Sequence, residues 1–140
     1  MATILVVDDS AVSRHLLGYT LKRAGHTVLA VAGGREALEL LAMQVVDLVI
    51  ADLQMPEMDG ITLLNNIRAN EGTRRVRQLM LTASGQEQDR LAAEAAGTDG
   101  FLTKPASSHD LIAAVDRLLG MVQPLQTSPP SSDPPVSRSR

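Results

Sequence analysis

Four apolar runs in this chain each stop at polar residues whose chemistry fits together. Ile4 to Val7 stops at Asp8 and Asp9, Val45 to Ala51 stops at Asp52, Leu79 to Leu81 stops at Thr82, and Phe101-Leu102 passes through Thr103 into Lys104-Pro105. If these runs are neighbouring parallel strands, three carboxylates, a hydroxyl and an ammonium converge on one edge of a sheet. Carboxylates about 4 Å apart repel by about 4 kcal/mol per pair at an effective dielectric near 20, so the cluster calls for a cation. All available ligands are oxygens, which selects a hard ion. Mg2+ fits best, because it accepts a partial protein shell and keeps waters that a phosphate oxygen can replace; Mn2+ is the alternative. Asp52 stands alone at the end of its run while Asp8 and Asp9 form a flanking pair, so Asp52 is the expected nucleophile toward a phosphoryl group. The group in transfer is nearly metaphosphate, and catalysis reduces to placing charge and donors around its oxygens, here the metal, Lys104 and Thr82.

The elements that would position these residues are short β-branched runs alternating with longer stretches of helical period, the pattern of βα units around a parallel sheet. Strands are predicted near residues 3–7, 27–31, 46–51, 77–82 and 100–103, and helices near 10–24, 34–43, 60–70, 86–96 and 107–120. Gly25, Gly72, Gly97 and Gly120 each follow a helical stretch, where a left-handed terminator would sit. Ser84 with Glu87, and Ser107 with Asp110, have the spacing of a capping box. The last helix carries the clearest apolar stripe, Leu111, Ile112, Val115, Leu118 and Leu119. The first, third and fourth strands are apolar on both faces, as strands covered by helices on two sides must be. Right-handed crossovers then yield an α/β fold with a doubly wound, five-stranded parallel sheet.

At 140 residues the chain has room for a single core. Residues 1–120 are expected to form it. Residues 121–140 hold five of the seven prolines and cannot bury a core, so they are expected to be a disordered tail or the stub of a linker. The only aromatics are Tyr19 and Phe101, which gives little for stacking on nucleic-acid bases. With a net charge of −3 and no concentrated basic face, no nucleic-acid partner is expected for this chain. The absence of cysteine excludes disulfides and thiolate metal sites. The first apolar run is cut at Asp8, too early for a signal peptide or a membrane span, so no membrane partner and a cytoplasmic location are expected.

Together with Met55-Pro-Glu-Met-Asp-Gly60, these strand-end residues resemble the receiver domain of two-component response regulators, and the resemblance covers residues 2 to 120. It implies a flavodoxin-like (βα)5 fold with strand order 2-1-3-4-5. It implies that Asp9 binds Mg2+ directly, Asp8 mainly through water, Asp52 by its side chain and Gln54 by its backbone carbonyl. It implies a phosphorylation-activated signalling switch, in which phosphate on Asp52 draws the Thr82 hydroxyl inward and Phe101 turns into the vacated space. The Lys104-Pro105 peptide is implied to be cis. A sensor histidine kinase or histidine phosphotransfer domain would be the phosphoryl donor, and the fourth helix, fifth strand and fifth helix the face read by a downstream protein. The chain would then be no enzyme in the usual sense, catalysing only its own phosphorylation and dephosphorylation. Gln54 and Ser84 occupy positions that tune phosphoryl lifetime in relatives; neither is charged here, so that lifetime does not carry over.

Two other function classes fit less well. A phosphatase of the haloacid-dehalogenase type pairs its nucleophile with a second Asp two residues on, and neither Asp8-Asp9-Ser10-Ala11 nor Asp52-Leu53-Gln54 supplies that pair. A phosphorylation-independent interaction module usually lacks an acid, the threonine or the lysine, and here all are present. Asp47 is read as a cap or strand start, and His15, His26 and His109 as scattered surface residues. The run Arg74-Arg75-Val-Arg77 is read as a solvated face in the loop before the fourth strand.

Overall fold

Strands β1 (Thr3–Val7), β3 (Leu48–Ala51) and β4 (Arg77–Thr82) are buried throughout, apart from the half-exposed first residue of β1 and of β4. They are the middle of the sheet. The shorter or wetter runs, β2 (Thr27–Val31) and β5 (Gly100–Thr103), form its edges, and the order is β2-β1-β3-β4-β5 with every pairing parallel. The computed structural model describes residues 2–120; the expected tail or linker stub at 121–140 lies outside the described residues.

Five helices alternate with the strands: α1 (Ala11–Arg23), α2 (Gly34–Met43), α3 (Gly60–Ala69), α4 (Glu87–Ala95) and α5 (Ser108–Gly120). Because strand side chains alternate, each central strand feeds two cores. Ile4, Val6, Leu48, Ile50, Leu79 and Leu81 pack on one face against Leu21 of α1 and Leu111, Val115 and Leu118 of α5. Leu5, Val7, Val49 and Ala51 pack on the other face against Ala37 and Leu41 of α2 and Leu63 and Ile67 of α3. A third cluster of Leu53, Leu64, Met80 and Ala93 lies beneath α4, with Phe101 against it. A buried Leu or Val side chain contributes about 1.5–3 kcal/mol. In α4 the only buried residue is Ala93, whose one methyl contributes far less, so α4 is the helix least anchored by packing.

Local signals explain most boundaries, and the exceptions have physical causes. Gly25 and Gly97 adopt φ of 99° and 97° and end α1 and α4 in the left-handed conformation. Gly72 does not serve this way: α3 stops at Asn70, whose Oδ1 accepts the Gly72 N–H at 2.9 Å and offers the chain an alternative to another helical turn. Gly120 lies within α5 rather than beyond it. Strand β3 starts two residues late because Asp47 turns to the start of β1, its carboxylate accepting the Thr3 N–H at 2.8 Å while its own N–H reaches the Thr3 carbonyl at 2.9 Å. Ser107 caps α5 by accepting the Asp110 N–H at 3.0 Å. Ser84 does not cap α4: that position falls to Gln86, which makes no side-chain cap bond, and Glu87 pairs with Arg90 instead. Arg77 belongs to β4, not the loop, and pairs with Asp99 at 3.6 Å beside a 2.8 Å Arg68–Asp99 bridge. His26 is structural, its Nδ1 accepting the Ala2 N–H at 3.2 Å. Among the described residues no helix is long and apolar enough to cross a membrane.

Candidate functional site

In an all-parallel sheet every strand ends at the same edge, and the ladder here runs up to the acids. Val7 pairs with Ala51, so Asp8 and Asp52 follow side by side; the Asp52 N–H donates to the Val7 carbonyl at 3.0 Å and the Asp8 N–H to the Val31 carbonyl at 3.2 Å. Asp8, Asp9 and Asp52 each present a carboxylate oxygen within 4.8 Å of the others. Their exposure is graded: Asp8 is buried at 2%, Asp52 is intermediate and Asp9 is exposed. The backbone fixes the two inner acids, as the Ser10 N–H donates to Asp8 Oδ1 at 2.9 Å and the Gln54 N–H to Asp52 Oδ1 at 3.1 Å. Three hard oxygen donors converging on one point suit a hard divalent ion.

The fourth corner comes from the far side of the sheet. The Lys104 N–H extends the β4–β5 ladder to the Thr82 carbonyl at 2.7 Å, and the Lys104-Pro105 peptide is cis. From there the Lys104 ammonium donates to Asp8 Oδ2 at 2.7 Å, to Asp52 Oδ2 at 3.1 Å and to Ser13 Oγ at 3.2 Å. Burial pulls its pKa down, but the hydrogen bonds to Asp8 and Asp52 and the charges of both outweigh this, leaving it above the ordinary lysine value. Lys104 is therefore a fixed cation whose charge offsets part of the repulsion among the acids.

Thr82 ends β4 fully buried, its Oγ1 accepting the Ser84 N–H at 3.2 Å. Phe101, opposite Met80 in the β4–β5 register, is half-buried against the cluster under α4. The acids and Lys104 thus meet directly, while Thr82 and Phe101 stand on the neighbouring strands beside α4. Gln54 is exposed in the loop after β3.

Two residues that shape the site, Ser13 and Arg14, lie outside both the strand-end pattern and the Met55–Gly60 motif. Ser13, in the first turn of α1, shares Lys104, and the Arg14 guanidinium donates to the Asp8 carbonyl at 2.8 Å. Both follow from α1 starting directly above the acidic pair. Gly60 is the tightest point: a Cβ there would lie 2.5 Å from the Asp52 carbonyl oxygen and 3.0 Å from Leu53 Cα, and the Gly60 N–H donates to the Leu53 carbonyl at 2.8 Å. Backbone on both sides cannot yield, so Gly60→Ala is expected to cost about 2–3 kcal/mol. Denaturant unfolding would show it as a lower midpoint at unchanged m, and a midpoint within error of wild type would mean that the loop gives way. The same turn holds Glu57 at φ 70°, unusual for a residue with a side chain, beneath a 2.7 Å bond from the Met58 N–H to the Pro56 carbonyl. A cleft of about 460 Å³ between α2 and α3, lined by Leu38, Leu41, Asn66 and Thr73, shares no residue with the acidic cluster.

Residues 4–116 match the family model of the response regulator receiver domain. The chain belongs to that family. This receiver is 31% identical to the signal receiver domain of a signal transduction histidine kinase from Syntrophus aciditrophicus, with a TM-score of 0.83 over 94% of this chain and 100% of that one. It is 32% identical to the receiver domain of the sensor histidine kinase PA1611 from Pseudomonas aeruginosa PAO1, a structure with a magnesium ion coordinated in its active site cleft (TM-score 0.79, 85% of this chain, 98% of that one). Among curated proteins it is 35% identical to the DNA-binding dual master transcriptional regulator RpaA of Synechocystis, over 85% of this chain and 49% of the regulator. The chain thus spans about half the length of that regulator. Receiver domains act in two-component, phosphorylation-based signalling, interact with histidine kinases or phosphotransfer partners and bind Mg2+ at an acidic pocket; Asp8, Asp9 and Asp52 form an acidic cluster here.

Proposed function

We propose that this receiver is a phosphorylation-activated switch that accepts a phosphoryl group from a phosphohistidine onto a carboxylate oxygen of Asp52. In that step the new bond joins Asp52 Oδ to phosphorus while the phosphorus–nitrogen bond to the donor imidazole breaks, its electron pair staying on that nitrogen and the ring departing as neutral imidazole with one N–H. Mg2+ would be held by Asp8, Asp9, Asp52 and the Gln54 carbonyl, and would offset charge on the phosphoryl oxygens. Lys104 supplies a second cation beside Asp52, and Thr82 offers a hydroxyl from the adjacent strand. The observation that carries this reading is the Lys104 ammonium bridging Asp8 and Asp52 within one cluster of three carboxylates.

A sensor histidine kinase or histidine phosphotransfer domain is the proposed donor, and the α4-β5-α5 face the proposed surface for a downstream protein, since Thr82 and Phe101 lie beneath it. The net charge of −3 argues against nucleic acid as a direct partner of this receiver. A cytoplasmic setting is the one in which such donors would meet it.

Binding of Mg2+ to the folded state alone stabilises it by about 2.7 kcal/mol at a hundred times the dissociation constant. The thermal midpoint is therefore expected to rise with added Mg2+. Asp9→Asn relieves like-charge repulsion at the exposed corner, worth about 1 kcal/mol after solvent screening, and removes a ligand. That variant should melt higher than wild type in chelator and gain little from Mg2+. A wild-type midpoint indifferent to Mg2+ would count against the acidic cluster as a metal site.

A further inference from the structure

Helix α4 lacks the two usual anchors. Ala93 is its only buried residue, and Gln86 at its N-cap makes no side-chain cap bond. Its start is held instead by Ser84, two residues ahead of the cap. The Ser84 hydroxyl accepts the Gln86 N–H at 3.3 Å and donates to the Asp89 carboxylate in the first turn of α4. An acid at the third helical position ordinarily reaches back to the N-cap amide itself. Asp89 does so through an intermediary, and that intermediary is tied to the switch threonine, because the Ser84 N–H donates to Thr82 Oγ1 at 3.2 Å.

Three hydrogen bonds therefore join Thr82 to the first turn of the least anchored helix. We propose that Ser84 and Asp89 form a latch that holds the α4 start in the unphosphorylated state and opens when Thr82 turns toward a phosphoryl group on Asp52. The proposal rests on the switch reading above and adds the residues that convey it to α4. As the Thr82 oxygen swings to the phosphoryl group, the Ser84 amide loses its acceptor. Ser84 must then follow Thr82 or find another partner, and either movement takes its hydroxyl from Asp89. The Gln86 N–H at the N-cap of α4 then loses its anchored acceptor, and the helix end on the proposed readout face frees itself. Coupling of this kind is reciprocal: whatever the latch contributes to the resting state must be given up on activation. Cutting the latch beforehand should therefore make activation easier. A residue that merely supported the fold would not have that effect.

The test uses beryllofluoride with Mg2+ as the phosphoryl stand-in, followed by fluorine NMR for binding and by hydrogen exchange at the amides of residues 87–90. In wild type these amides should exchange about fivefold faster once beryllofluoride is bound, because the start of the helix frays when Gln86 and Asp89 lose Ser84. Asp89→Ala, remote from Asp52 in sequence and outside the acidic cluster, should show the fast exchange already without beryllofluoride, show no further change with it and bind it about fivefold more tightly. Asp89→Glu should restore wild-type behaviour. Glu87→Ala removes a neighbouring first-turn acid that does not touch Ser84, and should leave beryllofluoride affinity unchanged. If no bound fluoride signal appears, the assignment of Asp52 fails and the latch falls with it. If beryllofluoride binds while exchange at residues 87–90 stays constant, or if Asp89→Ala binds it no more tightly, the latch alone is overturned.

Discussion

Asp52→Asn should abolish phosphoryl acceptance while leaving the fold intact. The substitution keeps the shape of the side chain and an oxygen for the Gln54 N–H, which now donates to Asp52 Oδ1 at 3.1 Å. It removes the anionic oxygen that would attack phosphorus, and a neutral amide is no substitute at that step. It also takes one negative charge from a cluster of three, so the variant should unfold at or above the wild-type midpoint. Lys104 keeps its 2.7 Å partner Asp8, so no buried charge is orphaned. Treating both proteins with acetyl phosphate and Mg2+ and measuring intact mass should reveal one added phosphoryl group on wild type, mapping to residue 52, and none on the variant. Equal labelling of the two would move the chemistry to another residue and sink the assignment.

Lys104→Met should damage both stability and chemistry. The ammonium links two carboxylates, one of which, Asp8, is only 2% exposed. Removing one partner of a buried pair costs about 3–5 kcal/mol. Lys104 is itself a fifth exposed and Asp8 keeps the Ser10 N–H. The cost is accordingly reduced to about 2 kcal/mol, a fall of roughly 5–10 °C in the thermal midpoint. Added Mg2+ should recover much of it, since the metal brings positive charge to the same acids. Loss of a preorganised donor beside the transferring group should slow acyl phosphate formation about 10- to 100-fold.

The pH dependence carries a separate signature. Because the folded protein raises the Lys104 pKa, its stabilising contribution is fully present below the ordinary lysine value of about 10.4 and is lost as pH rises through the raised value. The difference in unfolding free energy between wild type and Lys104→Met should be constant from neutral pH to about 10 and shrink above it. A gap that narrowed well below the lysine range would mean that a different group holds the site together.

The physics of these two positions also explains what was readable in advance. A strand that is apolar on both faces and ends in an acid announces itself within a few residues, and so does a helix with an apolar stripe such as Leu111 to Leu119. Glycine terminators and serine caps are local as well, but they compete with their neighbours: Asn70 ended α3 before Gly72 was reached, and Ser84 gave its hydroxyl to Asp89 rather than to a cap of its own. Such contests turn on side-chain directions that neither spacing nor residue type records.

Alternation of five strands with five helices, four of the strands closed by acids, a threonine or a lysine, is legible in consecutive residues, because hydrophobic period and strand-end polarity are local properties of the chain. Folding alone sets the bridge from Lys104 to Asp8 and Asp52 across 96 and 52 residues of chain, the sharing of that ammonium by Ser13 and the approach of the Asp52 carbonyl to Gly60. Those contacts depend on register, crossover and the approach of one backbone to another, and chain folding brings their partners together only after the local elements have formed.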